Sequence, residues 1–68
     1  MPRYAIAFVT PKPSLILQVV EMDTRESALR YFFNNYVTQG YSQDNEGYGY
    51  FKEDFSDPDA PLGGILEI

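Results

Sequence analysis

Near the start of the chain, apolar and polar positions alternate with a period of two. A few residues later the chain runs apolar without alternation, and then it changes to a helical period. Residues 3–10 set Tyr4, Ile6 and Phe8 on one side and Ala5, Ala7 and Val9 on the other, which predicts a strand. Pro11-Lys12-Pro13 follows and predicts a short turn, because two prolines cannot continue a ladder. Residues 14–21 are rich in β-formers and apolar on both faces apart from Gln18, so a second strand closes an antiparallel hairpin.

The strongest periodic signal lies at 23–37. Ala28, Leu29, Phe32, Phe33 and Tyr36 form one stripe at helical spacing. Asp23 is the expected N-cap, with Glu26 reaching back as a capping box. Gly40, beyond the last periodic residue, suits a left-handed backbone. Small residues let a bulky helix approach, so Phe32 and Phe33 are expected over Ala5 and Ala7. Residues 41–47 are polar and predict a loop. Residues 48–53 predict a third strand with Tyr48 and Tyr50 on one side and a bulge or edge at Gly49. An eleven-residue connection, 54–64, leads to a short last strand at 65–68.

The expectation is one α+β domain over residues 1–68 with the order ββαββ. A four-stranded sheet carries one helix on one face, and a right-handed crossover gives the strand order 2-1-4-3. The other sheet face is open. With apolar residues on both sides of the first two strands, that face is apolar as well, and such a patch marks an interface.

Composition sharpens this. A chain of 68 residues buries only ~60% of its unfolded surface. It has no cysteine, so it has neither a disulfide nor a thiolate metal site, and no histidine to act as a general base. Six tyrosines and five phenylalanines must supply much of the core, and homo-oligomerisation is the other common remedy for a small domain. Nothing resembles a signal peptide or a membrane span, and a cytoplasmic location is expected.

The net charge of −5 is uneven. Residues 1–40 hold three acids against four bases, net +1, and residues 41–68 hold seven acids against Lys52 alone, net −6. An acidic half disfavours a nucleic-acid backbone and favours a larger protein with a basic surface. Asp54, Asp57 and Asp59 are the expected steering acids, and Tyr31, Tyr41, Tyr48 and Tyr50 the expected contact aromatics. Two alternatives use the same acids. Carboxylates spaced like phosphates imitate nucleic acid and inhibit a DNA- or RNA-binding protein, or they gather Ca²⁺, although no EF-hand spacing is present.

Enzyme signatures are missing. The serines have no histidine to activate them, and no phosphate-cradling glycine loop occurs. Pro2 followed by a strand resembles the start of the tautomerase family, whose amino-terminal proline amine is a general base. The resemblance stops there: Pro11, Pro13 and the β-rich segment 14–20 stand where that family has a helix, and Met1 precedes Pro2. The reading is a non-enzymatic regulatory or inhibitory interaction module without a cofactor, occluding a partner's surface or assembling with itself.

Overall fold

A computed structural model describes residues 1–10 and 14–68. Strands β1 (Arg3–Val9) and β2 (Leu15–Glu21) are followed by helices α1 (Arg25–Tyr36) and α2 (Asn45–Phe55) and then by strand β3 (Gly63–Glu67). The three strands form an antiparallel sheet in the order β2-β1-β3. The fold is therefore α+β, but it is not a four-stranded sheet with one helix. Residues expected as the third strand belong to α2, and the last strand pairs antiparallel with β1 rather than parallel. The β1–β2 hairpin is present, while its Pro11-Lys12-Pro13 turn lies outside the described residues.

Thr24, not Asp23, caps α1: its Oγ1 accepts from the Ser27 amide at 3.1 Å. A hydroxyl at that position satisfies one of the free first-turn amides. Glu26 does not reach back; it turns to α2. Ala28, Leu29, Phe32 and Phe33 are buried and Tyr36 is half-buried, so the stripe is the packing face of the helix. Gly40 adopts φ 90°, a left-handed value, inside the α1–α2 connection rather than at the helix end.

Asp44 caps helix α2: its Oδ1 accepts from the Gly47 amide and from the Ser42 hydroxyl, both at 2.8 Å. Tyr48, Phe51 and Phe55, spaced i, i+3 and i+7, fill its buried face. Because α2 runs on to Phe55, the connection to β3 is shorter than expected. The Leu62 amide donates to the Asp54 carbonyl at 3.1 Å and the Val9 amide to the Leu62 carbonyl at 2.8 Å, so both ends of that connection are pinned.

Both helices cover the face of the sheet formed by Tyr4, Ile6 and Phe8, with Ile16, Val20 and Ile65 beside them. The alanines face the other way, which reverses the expected contact. Burying Tyr4, Ile6 and Phe8 removes more apolar area from water than burying two alanines, and that term scales with area. Phe51 lies at the centre, 4.8 Å from the Phe8 ring, 5.0 Å from Phe33 and 5.4 Å from Phe55.

Two glycines of α2 have opposite roles. A Cβ on Gly47 would fall 1.7 Å from the Ser42 carbonyl oxygen, whereas one on Gly49 would meet nothing. Gly49→Ala is expected to stabilise by about 0.5–1 kcal/mol through helix propensity. Gly47→Ala is expected to cost about 2 kcal/mol or more, because backbone must move to admit the methyl. Thermal unfolding of both variants checks this; a domain this small shifts by about 4–8 °C per kcal/mol.

Candidate interaction surface

The side of the sheet away from the helices is apolar apart from one charged end. Arg3, Ala5, Ala7 and Val9 of β1 lie opposite Glu21, Val19, Leu17 and Leu15 of β2. On the other side, Ala5 and Ala7 lie opposite Leu66 and Gly64 of β3, and Ile68 follows in the same alternation. Leu15 is 68% exposed, Leu17 63% and Leu66 67%, and Val9, Val19 and Ile68 are exposed with them. A half-buried antiparallel sheet normally alternates apolar and polar, with the polar set in water. Here both sets are apolar, which is the departure that makes this face a candidate site.

Its relief follows from residue size. Ala5, Ala7 and Gly64 make a shallow trough along the centre of the sheet. Leu15, Leu17 and Val19 form a ridge on one side, and Leu66 and Ile68 stand on the other. Among the described residues, only Arg3 and Glu21, at one end, carry charge on this face. None of its branched residues was among the side chains singled out from the sequence, although the two-sided apolar pattern of residues 14–21 was the signal for them.

The singled-out tyrosines and aspartates all lie in the helical layer and its connections. Tyr31 on α1 and Tyr50 on α2 are exposed, and Tyr31 stands edge-on to Tyr36 at 6.4 Å. Tyr48 is only 8% exposed and works in the core, clamped between the two helices. Its hydroxyl donates to Glu26 Oε1 at 3.0 Å, the Arg30 guanidinium sits 4.5 Å from its ring centre, and the Lys52 ammonium sits 5.5 Å from it. Lys52 Nζ also bridges to Glu26 Oε1 at 2.9 Å, so a single carboxylate oxygen joins α1 to two residues of α2.

Tyr41 is half-buried and donates to Asp54 Oδ2 at 2.5 Å. Asp57 Oδ1 accepts from the Asp59 and Ala60 amides at 2.8 and 3.3 Å and so forms the turn after α2. Asp54 and Asp57 therefore each commit an oxygen to the fold, and Asp59 is exposed. Among the described residues, no three acids, histidines or cysteines converge as a metal site. A cleft of about 320 Å³ opens between the connected end of the hairpin, at Thr10, Ser14 and Ile16, and the segment from Tyr36 to Gly40; its described lining has no acid or base. No described helix is long and apolar enough to cross a membrane.

No protein-family model matches the chain, and neither a curated protein nor a solved structure is similar to it.

Internal hydrogen bonds and burial shift four titrating groups. The Lys52 hydrogen bond, opposed in part by desolvation, holds Glu26 below the ordinary carboxylate value, and the Gly47 amide with the Ser42 hydroxyl does the same for Asp44. Burial, with the neighbouring carboxylates Asp54 and Glu26, raises Tyr41 and Tyr48 far above the ordinary phenol value. Lowered acids give stability that is complete above their unfolded pKa of about 4 and lost as pH falls through the folded value. Raised phenols give stability that is complete below about 10 and lost as pH rises past it. Denaturation across pH is expected to show a plateau between these limits. Glu26→Gln is expected to flatten the acid arm slightly, since the ion pair is exposed. Tyr41→Phe and Tyr48→Phe are expected to flatten the alkaline arm. Ionisation of all six tyrosines, read by absorbance while the fold persists, would contradict this assignment.

Proposed function

We propose that this chain is a small non-enzymatic interaction module, and that its working surface is the open sheet face rather than the acidic side. The observation that carries this reading is the row of exposed branched residues, Leu15, Leu17, Val19, Leu66 and Ile68, on a face where a solvated sheet would carry polar side chains. Contiguous apolar patches on small proteins mark contact sites. The mechanism is occlusion: a rigid apolar sheet covers a matching apolar surface, with Arg3 and Glu21 fixing orientation at one end. The acids of the helical layer keep the module soluble and steer it toward basic surroundings at longer range. A regulatory or inhibitory role in the cytoplasm fits a chain that has no histidine or cysteine and offers contact area instead of chemistry.

Parallel affinity capture separates the two surfaces. Leu17→Glu lies on the exposed face and is expected to stay folded, with a stability change within about ±0.5 kcal/mol. It is expected to lose polypeptides that the unaltered chain retains, while Tyr31→Ala with Tyr50→Ala keeps them. The reverse pattern would move the working surface to the helices and overturn the reading.

A further inference from the structure

We propose that the occupant of the open sheet face is a second copy of this chain, packed face to face about a twofold axis that runs along the strands between β1 and β2. The inference rests on the reading of that face as the interaction surface and adds the identity of what covers it.

Shape comes first. The β1–β2 register pairs small with large on this face, Ala5 with Val19 and Ala7 with Leu17. A twofold axis between these strands places β2 of each copy over β1 of the other. Leu17 and Val19 of one copy then enter the alanine trough of the second, and the same insertion repeats in reverse. Leu66 flanks the inserted ridge from β3. Such an interface is isologous, with each copy supplying both ridge and trough.

Charge satisfies the same axis. Arg3 and Glu21 are partners in the β1–β2 register, and neither is in an ion pair among the described residues. The axis sets each Arg3 over Glu21 of the second copy, so two reciprocal pairs close one end of the interface. The net charge of −5 does not oppose this, because the excess acids belong to the helical layer and its connections. Across two sheets ~10 Å apart and the helices outside them, those acids are separated by more than a Debye length of ~8 Å.

Area allows it. Weighted by their exposures, the six branched residues of the face present on the order of 600 Å² per copy, so a pair buries at most about 1,200 Å², the lower end of specific interfaces. The resulting layers, helices outside and two aligned sheets inside, are those of an ordinary sandwich core.

Sedimentation equilibrium and thermal unfolding across a concentration series test the proposal. The unaltered chain is expected to be a dimer that dissociates on dilution, with a melting temperature that rises with concentration. Leu17→Glu is expected to weaken association at least tenfold. Ala7→Leu is the sharper probe, because it adds apolar area yet fills the trough. It weakens a ridge-in-trough dimer and strengthens indiscriminate apolar association. If Leu17→Glu fails to fold, the unaltered chain and Ala7→Leu still decide. A chain that stays monomeric at every concentration, or a dimer strengthened by Ala7→Leu, would overturn the proposal. A monomer whose captured partner is still lost in Leu17→Glu would remove the second copy and leave the interaction surface standing. A monomer whose capture Leu17→Glu leaves unchanged would remove both.

Discussion

Everything in this fold depends on where the Phe51 ring can be buried. It projects from α2 into a space walled by Phe8 of the sheet, Phe32 and Phe33 of α1, and Phe55, Tyr41 and Tyr48. Edge-to-face and tilted contacts at these spacings add to plain area burial. A chain this short has one core, and the aromatic residues place it wholly on one side of the sheet. The second face is left uncovered by arithmetic: both helices are committed to the first.

That division separates the two kinds of surface on the molecule. Asp44 and Asp57 are tied into a cap and a turn, and Glu26 joins the two helices. Among the described residues, the outer side of the sheet has no charge and no hydrogen-bonding side chain between its Arg3–Glu21 end and Leu15. One side is largely polar and the other largely apolar, and they meet at the sheet edges.

The sequence shows some of this plainly and hides the rest for identifiable reasons. α1 was legible because five apolar residues kept one period, although Tyr, Phe and Asn are only middling helix formers. The first strand was legible from alternation, the hairpin from the β-rich run 14–21 a short connection later, and the apolar outer face from that run being apolar on both sides apart from Gln18. α2 was hidden by Gly47 and Gly49, each of which lowers helix propensity by about 1 kcal/mol. Its Tyr-Gly-Tyr-Phe run also imitates the alternation of a strand. Tertiary contact overrides that local preference: the Ser42 backbone needs the space a side chain at Gly47 would take, and Phe51 needs the core. Asp44, placed three residues before Gly47, was the available cap signal. Tyr48 was expected as a contact aromatic on a strand; on helix α2 it turns inward and is buried. The covering of the wrong sheet face was a question of area, which no local pattern encodes.

The central position of β1 has a kinetic meaning. Its pairing with β2 joins neighbours in the chain, but its pairing with β3 brings Ile6 to Ile65 and so closes nearly the whole chain into a ring. Closure entropy rises with the span of the loop, and contacts of this range slow folding. The topology implies an order of assembly in which the hairpin forms early and β3 docks after the helices have gathered over Phe8. Until then one edge of β1 is unpaired beside an apolar face, and the chain is most vulnerable to joining the wrong strand.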